Sequence, residues 1–117
     1  MWCAAYIING GCSDDGFEYF RCWVISRGKE VYYLSKSNPD NLIDELRDEN
    51  DDYEFEDFLY LPNDAFNEKT GKDIYDFIDN EKFKFNESQK SIEFTWEEEN
   101  PETLKAICPK LFEAKWD

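Results

Sequence analysis

Hydrophobic positions recur at helical spacing along the first third of the chain. Residues 2–8 are apolar and are followed by Gly10 and Gly11, and glycine often ends a helix because it accepts the left-handed conformation. A second helix is expected over residues 14–27, ending before Gly28. Because this second helix is apolar on almost every side, it is predicted to be the central helix of the core.

The middle of the chain is expected to be helical, with interruptions. Residues 29–36 carry apolar side chains at helical spacing and predict a short third helix. Another helix is expected to start at Asn38, because a polar cap followed by proline is a typical first turn. Apolar residues at helical spacing resume over residues 53–61. Pro62, which follows directly, should kink or restart the helix, and Gly71 should end it.

The last third of the chain combines two kinds of pattern. Residues 74–78 form a short amphipathic turn, whereas apolar residues in 83–96 alternate with polar ones around a polar turn, which favours a β-hairpin. A last helix should start at Asn100 and be interrupted at Pro109. The predicted fold is therefore mainly α, a compact multi-helix single domain over residues 1–117 with a short β-hairpin near 83–96.

Composition indicates a folded intracellular protein. Aromatic residues make up 18% of the 117 residues, enough large side chains to build a core. The N-terminal apolar run of about eight residues is too short for a membrane span and lacks the basic flank of a secretory signal. A cytoplasmic location is expected, with the four cysteines as reduced and mostly buried thiols, since no CxxC pair occurs.

The absence of histidine restricts the chemistry that the chain can perform. Hydrolases with a histidine base and histidine-ligated metal sites are excluded. Any catalysis would have to use carboxylates, lysine, tyrosine, serine or cysteine. We expect no cofactor, and a non-catalytic role is favoured over an enzymatic one.

Negative charge is concentrated in the middle of the chain. The net charge is −15, and residues 38–64 contain eleven acidic residues against Arg47 as their single base. Nucleic acid and membrane surfaces are disfavoured as partners because both are negative, whereas a basic protein would be complementary. The predicted partner-binding residues are Asp48, Glu49, Asp51, Asp52, Glu54, Glu56 and Asp57.

The density of this charge leaves two interpretations open. If residues 38–64 formed one helix of roughly 40 Å, net charges would lie about 4 Å apart, close to the spacing in a single nucleic-acid strand. The segment could then mimic nucleic acid. The plainer alternative is a solvated acidic face that keeps the protein soluble.

The motif Ser13-Asp14-Asp15 also has two interpretations. Ser13 or Asp15 would cap the second helix, and Asp15 with Glu18 resembles a capping box. Gly16 in the first turn costs up to about 1 kcal/mol relative to alanine, which suggests that another group approaches the backbone there. Alternatively, Asp14, Asp15 and Glu18 would bind Mg²⁺ or Ca²⁺, although no complete metal site is predicted.

Arg21 stands in a largely apolar helix, where an arginine usually pairs with a carboxylate. Glu18, or an acid from another segment, is the expected partner. A buried Arg21 facing Asp14 or Asp15 would instead fix the preceding loop as a recognition surface.

Residues 4–28, AAYIINGGCSDDGFEYFRCWVISRG, strongly resemble the signature of a bacterial family of unknown function, DUF4240. The resemblance is weaker over residues 54–71, near Trp96 and over residues 109–116. It implies a mainly helical fold and a bacterial or phage origin. It implies nothing about activity, because the family has no assigned activity. The signature residues are Gly10, Gly11, Ser13, Asp14, Asp15, Gly16 and Arg21.

Compared with that family, the chain resembles an N-terminally short member. The family pattern has further helices before the region in which this chain begins. Either the chain is a shortened variant of the family, or its first helix lacks its usual cover. An uncovered apolar face would favour a homodimer or another partner.

These observations predict a non-catalytic, acidic protein-interaction domain. In a sharper form it is an inhibitor, an anti-defence or immunity protein, in which residues 38–64 occupy a basic nucleic-acid groove. The alternative is a small carboxylate-dependent, metal-assisted hydrolase that uses Ser13, Asp14, Asp15 and Glu18.

Overall fold

The computed structural model describes residues 1–47, 52–78 and 93–116, and within these ranges the chain is mainly α-helical. The α-helices are α1 (Trp2–Asn9), α2 (Asp14–Ser26), α3 (Lys29–Ser37), α4 (Leu61–Thr70), α5 (Pro101–Ile107) and α6 (Pro109–Lys115). Shorter 3₁₀-helices cover Pro39–Glu45, Glu56–Tyr60 and Ile74–Asp76. β-Pairing in the described ranges consists of an isolated bridge between Glu97 and Asn100. The predicted mainly α fold is confirmed.

Glycine and proline set several helix boundaries where the sequence predicts them. Gly10 follows α1 with φ of 67°, and its N–H donates to the carbonyl of Tyr6. Gly71 follows α4 with φ of 68°. Pro62 lies in the first turn of α4, and Pro109 opens α6 directly after α5. These predicted helix boundaries are confirmed. Each could be predicted because it depends only on the local backbone conformation of a glycine or a proline.

Residues 38–64 do not form a continuous helix. The Asn38 side chain accepts a hydrogen bond from the N–H of Asp40 at 3.1 Å, as expected of a cap, but the helix that follows is 3₁₀ and ends at Glu45. Residues 52–55 carry no regular structure before the next 3₁₀-helix. The prediction of a helix starting at Tyr53 is wrong, and so is the charge spacing along a 40 Å helix.

The predicted β-hairpin falls mostly on residues 83–92, which lie outside the described ranges. Its last residues, 93–96, form no strand. Trp96 is instead a buried core residue, 8% exposed, with its ring centre 5.3 Å from that of Tyr6.

The most fully buried helix is α1, whereas the sequence predicted α2. Cys3, Ala4, Ala5 and Ile7 are at most 2% exposed. Helix α1 contacts α2, α5, α6 and the 3₁₀-helix Pro39–Glu45. By contrast, Ile25 of α2 is 46% exposed. The small side chains of α1 permit this close packing on several sides.

Of the two alternatives for the N-terminal region, the one in which α1 lacks its cover is wrong. Helices α5 and α6 pack against it, and Leu104 and Leu111 from these helices are fully buried in the same core. The thiol of Cys3 donates to the carbonyl of Leu104 at 3.8 Å. The argument for a homodimer through α1 therefore loses its basis.

Asp40 joins the middle of the chain to the C-terminal helices. Its side chain is buried, and its Oδ1 and Oδ2 accept the N–H groups of Leu111 at 2.9 Å and Lys110 at 3.2 Å. Both donors lie in the first turn of α6, where backbone N–H groups lack partners within the helix. Asp40 thus caps α6 from about 70 residues away in the sequence.

The molecule is more extended than the compact shape that was expected. Its radius of gyration is 16.7 Å, against roughly 13 Å for a compact chain of this length. Helix α4 packs on the neighbouring 3₁₀-helices Glu56–Tyr60 and Ile74–Asp76. No helix within residues 1–47, 52–78 and 93–116 is long and apolar enough to cross a membrane.

The prediction for the cysteines is confirmed. All four are free thiols; Cys3, Cys22 and Cys108 are buried, and Cys12 is half-buried.

Candidate functional site

Ser13 is the N-terminal cap of α2, which is one of the two roles predicted for the Ser13-Asp14-Asp15 motif. Its backbone is extended, and its Oγ accepts the N–H of Gly16 at 3.0 Å. Asp14 and Asp15 then occupy the first turn and are exposed. Their charges interact favourably with the partial positive charge of the helix N-terminus.

The cap position excludes the predicted capping box. With Ser13 as the cap, the residue three positions on is Gly16, which has no side chain to reach back. Glu18 is instead paired with Arg21, at 4.0 Å between Oε1 and Nη2, with both side chains about half exposed. The expected Glu18–Arg21 pair is confirmed, and the alternative of a buried Arg21 is wrong.

Replacing Ser13 with alanine is expected to lower the free energy of unfolding by about 1 kcal/mol, because an unpaired N–H remains at the start of α2. Urea denaturation followed by circular dichroism measures this loss. Ser37→Ala is the matched control, since Ser37 is exposed and its hydroxyl only donates to the carbonyl of Leu34. Equal losses in both variants would contradict the capping role.

Residues 53–55 have no regular secondary structure, and hydrogen bonds from their backbone attach them to α1 and α2. The N–H of Tyr53 donates to Oδ1 of Asn9 at 3.3 Å, and Nδ2 of Asn9 donates back to the carbonyl of Tyr53 at 3.5 Å. The N–H of Phe55 donates to the carbonyl of Tyr19 at 3.0 Å. The Tyr53 ring is buried edge-on against Trp23, with centres 5.0 Å apart. This attachment fixes the acidic residues on either side of it.

Glu54 explains the glycine in the first turn of α2. A Cβ atom at Gly16 would lie 3.2 Å from Oε1 of Glu54 and 3.2 Å from Oγ of Ser13. These distances are tighter than ordinary contact, so a side chain at position 16 would require the Glu54 carboxylate and the Ser13 hydroxyl to shift by a few tenths of an ångström. The expectation that another group approaches the backbone at Gly16 is confirmed.

Glu56 lies beside two tyrosines. The hydroxyl of Tyr60 donates to Oε1 of Glu56 at 3.1 Å, and this hydrogen bond raises the pKa of Tyr60. Burial raises the pKa of Tyr19, with smaller contributions from the carboxylates of Glu56 and Asp15. Residues of α2 and of the 3₁₀-helix Glu56–Tyr60 therefore share one surface.

The two acidic motifs of the sequence thus form one acidic surface. In addition to burial, the carboxylates of Glu54 and Asp14 both raise the pKa of the Cys12 thiol, so both lie near it. In the same way, burial and the carboxylates of Glu56 and Asp15 raise the pKa of Tyr19. We define the acidic surface as six exposed carboxylates: Asp14, Asp15, Asp52, Glu54, Glu56 and Asp57. The other predicted partner-binding residues, Asp48, Glu49 and Asp51, lie outside the described residues. Among residues the structure describes, the one ion pair is Glu18–Arg21, so none of the six carboxylates forms an ion pair with a described lysine or arginine.

Acidic side chains at the start of α2 are not arranged around a common point. Within the described ranges, no three aspartate, glutamate or cysteine side chains form a group that could hold a metal ion. Glu18 faces Arg21 rather than Asp14 or Asp15. The arrangement offers charge and hydrogen-bond acceptors to a partner.

The pKa of the Cys12 thiol depends on burial and on two carboxylates of the acidic surface. Burial raises the pKa of its thiol to about 11, and the carboxylates of Glu54 and Asp14 add to this effect. Because the thiolate is the reactive form, alkylation of Cys12 by iodoacetamide should keep accelerating up to about pH 11. We expect Glu54→Gln to lower the pKa and to increase the rate at pH 9, as measured by mass spectrometry. Glu97→Gln is the control, and an equal change in both variants would contradict the contact.

Sequence reasoning missed the residues that hold this surface together. Asn9 and Tyr53 are 44 positions apart, and nothing in their local sequence indicates that they pair. The signal that did point here was Gly16, a poor helix former in a first turn.

Comparison with known proteins identifies a family of unknown function. A family model described as "Protein of unknown function (DUF4240)" matches residues 1–68, more than half of the chain. Curated proteins and solved structures gave no match. The matched range contains the signature residues and the whole acidic surface, whereas residues 109–116 and Trp96 lie outside it. The chain therefore belongs to the DUF4240 family.

Proposed function

We propose that this chain is a non-catalytic protein-interaction domain of the bacterial cytoplasm, whose acidic surface binds a basic protein. In the specific form of the proposal, it is an inhibitor, an anti-defence or immunity protein, that occupies the nucleic-acid groove of its target. The observation that carries the proposal is the joining of two acidic motifs, from α2 and from residues 52–57, into one exposed surface.

The attachment of residues 53–55 supports this proposal. A surface fixed by backbone hydrogen bonds and a buried tyrosine loses little conformational entropy when a partner binds. Exposed carboxylates that form no ion pair with a described basic residue also create a field that accelerates encounter with a positive protein. Aromatic residues nearby, Phe55 at 38% and Tyr60 at 47% exposed, supply the apolar contacts that interfaces require.

Capture of partners from a bacterial lysate, read by mass spectrometry, tests the proposal. We would compare the natural chain with a variant that carries Asp52→Asn, Glu54→Gln, Glu56→Gln and Asp57→Asn. The matched control removes four carboxylates elsewhere, with Glu93, Glu97, Glu99 and Glu113, all exposed, changed to glutamine.

The expected result is a basic protein that the natural chain and the control capture and that the first variant loses. Binding should weaken strongly between about 0.05 M and about 0.5 M salt, since exposed charges are screened. The purified target should lose its affinity for DNA or RNA when the chain is added. A partner that both variants lose equally, or one whose binding is unaffected by salt, would contradict the acidic surface. Retained nucleic-acid binding would contradict the inhibitor form alone.

A further inference from the structure

A cavity of about 480 Å³ opens between α2, α3 and the 3₁₀-helix Glu56–Tyr60. Its walls are mostly apolar and come from Phe17, Val24, Ile25, Tyr32 and Leu59. Two of these residues are open to solvent, Ile25 at 46% and Leu59 at 37% exposed. Both the volume and the apolar lining are typical of sites that bind a small molecule.

Charged groups at this cavity differ in sign from the rest of the molecule. The charged side chains that line it are Arg21, Lys36 and Glu18, so two cations stand against one carboxylate in a chain of net charge −15. Met1 also lines the cavity, and burial lowers the pKa of its α-amino group, which favours the uncharged amine. The Arg21 guanidinium carbon lies 5.0 Å from the centre of the Phe17 ring, which places the cation beside the apolar wall.

Arg21 can still bind an anion. Its contact with Glu18 involves one guanidinium nitrogen, Nη2, at 4.0 Å, which is beyond hydrogen-bond length. Guanidinium has five N–H donors in a planar fork that matches the two oxygens of a carboxylate. Lys36, in the last turn of α3, is exposed and supplies a second cation.

We propose that this cavity binds an amphipathic monocarboxylate, with its apolar body against Phe17, Ile25 and Leu59 and its carboxylate at Arg21 and Lys36. The three charged side chains leave one net positive charge, which a single carboxylate balances. A phosphate monoester carries about −1.5 to −2 at neutral pH and would keep an unbalanced charge beside Glu18. This site uses none of the six carboxylates of the acidic surface, so it stands independently of the proposed function.

Calorimetric titration with decanoate, below the concentration at which it forms micelles, tests the site. Decanol and decyl phosphate have the same apolar body with no charge or with a larger one. We expect decanoate to bind the natural chain at one site per molecule, and at least about tenfold more tightly than either analogue. Equal affinity for decanoate and decanol would overturn the carboxylate assignment, and absence of decanoate binding would overturn the site. Tighter binding of decyl phosphate would overturn the choice of a monoanion.

Variants locate the site on the molecule. Arg21→Gln with Lys36→Gln should weaken decanoate binding by about tenfold and leave decanol unchanged. The matched control, Lys69→Gln with Lys110→Gln, removes two exposed lysines elsewhere and should leave both ligands unchanged. Equal weakening by both pairs would overturn the proposal, because it would show an effect of net charge alone.

A third variant tests the apolar wall. Ile25→Asp places a carboxylate on a half-exposed position of the cavity and should abolish decanoate binding. Circular dichroism melting of each variant verifies that the fold is kept. Decanoate binding that survives Ile25→Asp in a folded protein would overturn the location.

Discussion

Replacing Phe20 with alanine is expected to lower the free energy of unfolding by about 3–5 kcal/mol. The Phe20 side chain is fully buried in the core, and its ring centre lies 5.7 Å from that of Trp23. Truncation would remove the hydrophobic contribution of the ring and leave a cavity, because close-packed neighbours relax only in part. A domain of this length has a total stability of roughly 6–18 kcal/mol, so the loss is a large fraction of it.

Urea denaturation followed by tryptophan fluorescence measures this change. Phe77→Ala is the matched control, since the Phe77 side chain is 63% exposed, and its truncation should cost less than about 1 kcal/mol. Similar losses in the two variants would contradict the core position of Phe20.

The second large effect is expected at Asp40, whose replacement by alanine should cost about 2–4 kcal/mol. Its carboxylate accepts the N–H groups of Lys110 and Leu111, and the side chain is only 4% exposed. Truncation would leave two backbone donors of α6 without partners, and the N–H group of Leu111 is buried. It would also remove the hydrogen bonds of Asp40 that join the 3₁₀-helix Pro39–Glu45 to α6, although the packing between the two elements would remain.

Asp44→Ala serves as the control for Asp40, because Asp44 lies in the same 3₁₀-helix and is exposed. It should change stability by less than about 0.5 kcal/mol. Asp40→Asn separates shape from charge, since an amide retains one acceptor oxygen and presents donors to the second N–H group. An asparagine variant as stable as the natural chain would contradict the role of both carboxylate oxygens.

Features set by the local backbone could be predicted from the sequence. The ends of α1 and α4 at Gly10 and Gly71 follow from the left-handed conformation that glycine accepts. The start of α6 follows from Pro109, which cannot continue α5. Ser13 as a cap belongs to the same class, because its hydrogen bond reaches only three residues ahead.

Features that depend on pairing distant segments could not be predicted. Asp40 looks like any other acid in an acidic segment, and nothing local marks it as the cap of a helix some 70 residues later. The helix expected at Tyr53 does not form because the Tyr53 backbone pairs with Asn9. In this case tertiary hydrogen bonds outweigh a helical spacing of apolar residues.

The candidate site was half predicted. Its acidic residues were named from composition, but their arrangement came from contacts between segments about 40 positions apart. Gly16 was the one local clue, because a residue that conflicts with helix propensity usually satisfies a tertiary requirement. The cavity beside Arg21 could not be predicted. Arg21 stood out in the sequence only as the expected partner of a carboxylate, and the apolar walls look like ordinary core positions.

The packing of α1 against α5 and α6 has a consequence for synthesis on the ribosome. Cys3 and Leu104, which are in contact, are 101 residues apart. At translation rates of about 5–20 residues per second, roughly 5–20 s pass between the appearance of these two residues. The family-matched residues 1–68 emerge well before α5. The surface of α1 that packs against α5 and α6 in the folded protein is therefore uncovered at first. During that interval the apolar side chains of α1 lack the cover of α5 and α6, and the core closes only after the C-terminal helices have left the exit tunnel.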